Sequence, residues 1–303
     1  MAIATHQVPA MSPSRRFARE FFSKRIATGS FVLLLLILLA ALFAPLLSPQ
    51  DPYDLARLDL LDARLAPGTM SGDGSLVFLL GSDAQGRDML SAMLYGIRIS
   101  VIVGIASTAI ALAVGLALGL LAGYRGGRID AVLMRVVDIQ LSFPSILIAL
   151  VLLALSGPGL GKIIAALAAA QWAYYARTAR SAALVERRKE YIEAATCLGL
   201  SGTRIMFRHL LPNCLPPLVV VAALQVAAAI SLEATLSFLG LGLPVTEPSL
   251  GLLIANGFEY MLSGKYWISL FPGVALLLLV ASITLVADRL RDVLNPRLQG
   301  PAP

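Results

Sequence analysis

Six long apolar runs punctuate this sequence, and they decide its fold class before any motif is read. They cover about Gly29–Leu47, Ile99–Leu121, Val136–Leu155, Ile163–Ala176, Leu215–Leu232 and Ser269–Val286. Most approach the ~20 residues that an α-helix needs to cross a ~30 Å hydrocarbon core. In lipid every backbone N–H and C=O must be paired within the protein, so helices are the expected spanning form. Composition agrees: the 303 residues are 58% hydrophobic and 14% charged, where soluble domains carry about a quarter charged. Mean hydropathy is +0.81. The expected fold is therefore all-α: one polytopic membrane domain with six transmembrane helices.

The first run follows Arg15, Arg16, Arg19, Lys24 and Arg25. Its small residues near Ala40–Ala44 resemble a signal-peptide cleavage site. The charged leader is long and the run is near spanning length, so it is read as a retained helix ended by Pro45 and Pro49. Residues 1–28 form the N-terminal segment and 29–47 the first span. Residues 48–98 are polar, with Asp51, Asp54, Asp59, Asp62 and Asp73, and read as extramembrane with a short helix near Asp88–Tyr95. Residues 99–287 form a five-helix core. Tight turns are expected at Gly123–Gly127 and Ser156–Gly159, a long polar loop over 177–213, and a Gly/Pro-containing loop over 233–268. Residues 288–303 form a short charged tail.

Lys and Arg set the orientation. One side holds the five leader residues, then Arg125, Arg128 and Arg135, then Arg177, Arg180, Arg187, Arg188, Lys189, Arg204 and Arg208, then Arg289, Arg291 and Arg297. The other holds Arg57, Arg64, Arg87, Arg98, Lys162 and Lys265. The bias is about three to one, and the basic side faces the cytoplasm. Both termini are thus expected inside a bacterial inner membrane. The pI near 9.6 has this origin. No nucleic-acid motif accompanies it, so nucleic acid is not expected as a partner.

Several signals fail on inspection. Gly157–Lys162 imitates a phosphate loop, but the required Gly position is Ser156 and the Ser/Thr position is Ile163. Gly240 and Gly242 are a fragment of a dinucleotide fingerprint. Two histidines, His6 and His209, do not build a zinc protease or an intramembrane Ser–His pair. Cys197 and Cys214 lack His or carboxylate company suited to metal. No cofactor or catalytic group is expected, and any driving energy must come from another protein. An ion-coupled secondary transporter would need membrane-embedded acids and commonly inverted repeats. Asp138 is a lone candidate for the first, and it reads better as a partner for Arg135. Glu233 reads as facing the pathway, a partner contact or the interface. Arg87 and Asp88 read as a local pair or an external contact.

The segment from Glu190 to Asn213 is the informative one. It reads as two short helices with a break at Gly199–Gly202. Glu193, Ala194 and Ala195 are helix formers. Gly199 suits a left-handed terminus, and Ser201 suits a cap for the next helix, which reaches the membrane at Pro212. Taken alone, Glu193 would be a solvated helix carboxylate.

Glu193, Ala194, Ala195, Gly199, Leu211 and Pro212 also stand in the register of the glutamate-alanine-alanine loop, which this segment resembles, of ATP-binding cassette importer permeases. His209 departs from the general pattern, in a form common in the peptide and nickel branch. Leu80–Asp88, Tyr95–Ser100, Arg135–Asp138 with Pro144, Leu236–Gly242 and Asp288–Asp292 are similar to that branch too. The likeness covers about Gly29–Arg297 and fits its C-type permeases. It implies the type I importer permease fold, a second permease subunit, two cytoplasmic ATP-binding subunits and a periplasmic solute-binding protein. It also implies that Glu193, Ala194, Ala195, Gly199, Gly202, Arg208, Leu211 and Pro212 form an ATPase-coupling loop. Dipeptides or oligopeptides lead as the substrate, with a nickel chelate or glutathione-type peptide as alternatives.

Overall fold

The computed structural model describes residues 12–54 and 58–294. The first part of the N-terminal segment, with His6, lies outside the described residues. So do Arg57 and the end of the tail with Arg297. A short helix α1 (Pro13–Phe21) precedes α2 (Arg25–Leu42) and α3 (Ala44–Leu47). The first run therefore breaks at Phe43, with Pro45 opening the short α3, where its missing N–H costs nothing.

The polar segment after α3 contains a two-stranded antiparallel hairpin, β1 (Thr69–Met70) with β2 (Val77–Phe78). Asp73 shapes its turn: Oδ1 accepts from Ser71 Oγ at 2.6 Å, Ser75 N at 3.0 Å and Ser75 Oγ at 2.8 Å. These hydrogen bonds hold the Asp73 carboxyl down at about 2.

Helix α4 (Met89–Arg125) has 37 residues and runs ~55 Å, well beyond the membrane core. The expected short helix near Asp88–Tyr95 and the second span are one continuous helix. Asp88 caps it by accepting from Ser91 N at 2.8 Å. Gly126, at φ 65°, ends it. Then α5 (Gly127–Ser142) and α6 (Ser145–Ser156) meet at 87°. The expected third span, with Pro144 inside it, is this broken pair, because Pro144 forces Phe143 into extended backbone (ψ 139°).

Helix α7 (Leu160–Glu186) runs past the expected end at Ala176. Its later turns stay helical because Arg177 pairs with Asp138 at 2.6 Å and Arg180 forks onto Asp130 at 2.9 and 2.6 Å. The polar loop therefore starts at Arg187 instead of Arg177. After α8 (Glu190–Cys197) and α9 (Gly202–Arg204), a π-helical turn, Ile205–Leu210, runs directly into α10 (Leu211–Phe238). The expected loop 233–268 contains the end of α10 and the short α11 (Leu250–Phe258). Helix α12 (Trp267–Leu294) extends into the expected tail.

Four helical stretches are long and apolar enough to cross a membrane: α2, α4, Gly202–Phe238 and α12. The bent α5–α6 pair makes a fifth. The count of six is not reached on apolarity alone, because α7 carries Lys162, Gln171, Arg177 and Arg180. It is an interior helix packed on α4, α5, α6 and α10. Gly115, Gly119 and Gly123 form a small-residue stripe on α4 against α7. A Cβ on Gly119 would collide with the carbonyl of Ala176 and sit 2.7 Å from the Ala179 Cβ. Such stripes let membrane helices pack at backbone distance.

Candidate functional site

Helix α8 presents two faces. Ile192 and Ala195, three apart, are buried, while Glu190, Glu193, Ala194 and Cys197 are exposed. The buried pair packs with Leu120 of α4, Ala183 of α7, Ile205 and Leu210 of the π-turn, and Cys214 of α10. The short helix is thus seated where the ends of three long helices meet. Its first turn holds Glu190 and Glu193, which complements the positive end of the helix dipole.

The helix stops as its sequence predicts. Gly199 has φ 71°. Its N–H reaches Thr196 O at 3.0 Å, and Leu200 N reaches Ala195 O at 3.2 Å. That is the Schellman pairing, in which a left-handed residue lets the chain satisfy the last carbonyls. Open space surrounds Gly199, so conformation is what demands glycine there. Gly202 is different: a Cβ there would lie 2.8 Å from the Tyr124 hydroxyl. Ser201 does precede α9, but its hydroxyl pairs with Thr203 Oγ1 at 3.3 Å instead of capping the backbone. Arg208 and Pro212 are exposed, and Leu211 is half-buried beside the cluster. The expected second short helix is not separate, because the π-turn joins it to α10.

Glu186 was not legible as part of this joint. It closes α7, and both its oxygens serve the start of α8. Lys189 Nζ donates to Oε1 at 2.6 Å and Tyr191 Oη to Oε2 at 2.7 Å. Partial burial, followed by the Glu186 carboxylate, pushes the Tyr191 phenol up to about 12. Tyr124 was missed as well. It abuts Gly202, and Arg187 lies 5.9 Å over its ring. The usable signal was spacing: Glu186, Lys189 and Tyr191 are three and five apart across a helix junction.

The remaining acids take structural roles. Asp138 pairs with Arg177, not Arg135, because one turn of α7 lies opposite it. Glu233 faces neither pathway nor interface. It is fully buried; Ser100 of α4 donates to Oε2 at 2.8 Å, while Ser237 and Ser249 donate to Oε1 at 2.8 and 3.0 Å. Arg87 pairs with Asp83 at 2.7 Å, buried, and Asp88 is the α4 cap. Cys197 and Cys214 are free thiols, and no His/Cys/Asp/Glu cluster suited to a metal occurs among the described residues.

Residues 115–300 match the family model described as the binding-protein-dependent transport system inner membrane component. The chain belongs to this permease family. Residues 12–67 match the N-terminal TM domain of oligopeptide transport permease C. The chain is 38% identical to the di/tripeptide transport system permease protein DppC of Pseudomonas aeruginosa strain UCBPP-PA14, covering 99% of each. It is 40% identical to the dipeptide transport system permease protein DppC of Escherichia coli K12, covering 95% of each. A chain of the inward-facing MetNI methionine ABC transporter shares the fold at TM-score 0.56 and 24% identity, covering 68% of this chain and 97% of that one. The permease is therefore an ABC importer subunit of a multi-pass inner membrane type, a transport component and not an enzyme.

Proposed function

We propose that this permease carries dipeptides or short oligopeptides inward, as one half of a permease pair. Two cytoplasmic ATPases and a periplasmic solute-binding protein complete the assembly. The peptide substrate is supported by the names and coverage of the relatives. The permease works by alternating access: ATP-driven closure of the ATPases favours one of two rigid-body states.

The observation that carries the coupling role is α8, a rigidly seated helix with Glu193 and Ala194 turned outward. Glu193 offers a charge-assisted contact to a basic group of the ATPase. Ala194 lets the partner backbone approach closely, and Ala195 fastens the helix to its cluster. Gly199 sets the exit angle, and Gly202 lets the loop abut Tyr124. Arg208 adds a cation to the exposed side, while Leu211 and Pro212 lead the chain into α10. Both termini and this loop lie in the cytoplasm.

The test is ATP hydrolysis and peptide uptake by the complete complex in proteoliposomes. Glu193→Ala combined with Gly199→Arg should assemble but lose hydrolysis stimulated by the binding protein. Normal stimulation and uptake in that variant would falsify the coupling role.

A further inference from the structure

We infer that α1 is an interfacial anchor for anionic phospholipid headgroups of the cytoplasmic leaflet, distinct from the coupling loop. At ~100° per residue, Phe17, Ala18 and Phe21 fall on one side of α1. Arg15, Arg16 and Arg19 fall on the other. An Arg-rich face opposite a Phe face is the pattern of a helix lying in the membrane interface.

Placement gives this pattern its level. Only Phe22, Ser23 and Lys24 separate α1 from the membrane helix α2. The apolar side packs back onto that helix: Phe31 of α2 meets Phe21 at 6.0 Å and Phe22 at 5.5 Å, both edge to face. Phe21 is buried, yet Phe17, Phe22 and Phe31 keep exposed ring surface beside a transmembrane helix. Acyl chains are the medium at that level. The helix is also fixed in position. Arg289 of α12 donates to the carbonyls of Glu20 and Phe21, which end α1, and to Ser23 Oγ. Lys24 bridges to Asp292 at 3.2 Å.

On the polar side, Arg15, Arg16 and Arg19 are exposed, and Glu20 offsets one charge through Arg16 at 2.8 Å. A net cationic face at headgroup depth favours anionic over zwitterionic lipid. Clamping by Arg289 fixes this helix to α12.

The proposal rests on the cytoplasmic placement of the N-terminus. The test uses the whole transporter with Ala18→Cys in a Cys197→Ser background, carrying a polarity-sensitive dye. Vesicles are an equimolar mixture of phosphatidylcholine and phosphatidylglycerol. Doxyl-labelled phosphatidylglycerol and doxyl-labelled phosphatidylcholine, at equal mole fraction, compete to quench the dye. Doxyl-phosphatidylglycerol should quench preferentially. Arg15→Gln, Arg16→Gln and Arg19→Gln together should lower that preference about fivefold or more, and Lys at the same three positions should retain it. Equal quenching by both lipids, or an unchanged preference in the Gln variant, overturns the proposal. A dye shielded only when the ATPases are present, and quenched by neither lipid, overturns it in favour of a protein contact. An impermeant thiol reagent applied from outside to the undyed Ala18→Cys variant separates a wrong orientation from a wrong ligand, because it labels the introduced thiol only if the N-terminus is external.

Discussion

Glu233 shows how a charge in the membrane-spanning part of a sequence can mislead. An acid at that depth is a functional candidate by default, and of its partners the sequence hints only at Ser237, four residues on. Ser237 sits one turn on in the same helix, but Ser100 and Ser249 come from elsewhere in the chain and converge on Glu233 only in the fold. Together they tie α4, α10 and the start of α11. Glu233→Leu strands three buried hydroxyls, at ~1 kcal/mol or more each. It should therefore lower stability by about 3 kcal/mol, read as the thermal unfolding midpoint in detergent. Glu233→Gln keeps one acceptor oxygen and should cost roughly a third as much. Equal stability of wild type and Leu would remove the latch. Asp73 makes a pH prediction. Its folded pKa is lowered from 3.8 to about 2 by the Ser71 and Ser75 hydrogen bonds. Its contribution to the hairpin turn is thus complete above the ordinary carboxylate value and disappears as pH falls through about 2. Carbon-13 titration of the Asp73 carboxyl should show that midpoint, and Ser71→Ala with Ser75→Ala should return it toward 3.8.

Elements were legible where one period or one residue type governs them. The apolar runs fall on α2, α4, the α5–α6 pair, α7, α10 and α12, of which α7 is not apolar enough to count as a span by itself, and Gly199 announced its left-handed turn. What escaped was set by partners distant in sequence. Arg177 and Arg180 read as loop, yet they prolong α7 because Asp138 and Asp130 of α5 wait opposite. The residues of the proposed coupling loop stand out through their register, whereas Glu186 and Tyr124 adjoin that loop only through three-dimensional packing. The α4–α7 stripe is similar: three glycines four apart are visible, but their partner helix is not. Gly119→Val puts branched atoms against the Ala176 carbonyl and Ala179. Forcing the backbones apart should cost about 2 kcal/mol or more. Gly161→Ala, on the same α7 but facing open space, should be neutral or gain about 0.5 kcal/mol. Thermal unfolding of the two variants side by side separates close packing from a general intolerance of helix substitutions.

The ends of the described chain constrain the whole topology. Lys24 meets Asp292, and Arg289 holds the end of α1, so the start of α2 and the end of α12 lie together. A chain whose two ends share one side crosses the bilayer an even number of times. Four crossings with a re-entrant α5–α6 pair and six crossings with that pair and α7 both satisfy this; we propose six, with α7 as a crossing despite its arginines. Those arginines are tolerated because Asp138 and Asp130 neutralise them near the basic side of the protein. On that proposal α4 crosses from the side of Asp88 to the side of Arg125. On that proposal α8 lies on the side shared by Lys24 and Asp292, and the 69–78 hairpin on the other. The positive-inside bias then names the sides. In a Cys197→Ser background, Ser75→Cys should react with a membrane-impermeant maleimide on intact spheroplasts, and Thr203→Cys should react only after lysis. The reversed pattern would put the coupling loop out of reach of any cytoplasmic ATPase, and the proposed coupling would fall with it. Labelling of both from outside would break the parity itself, and with it the reading of α7 as a full crossing.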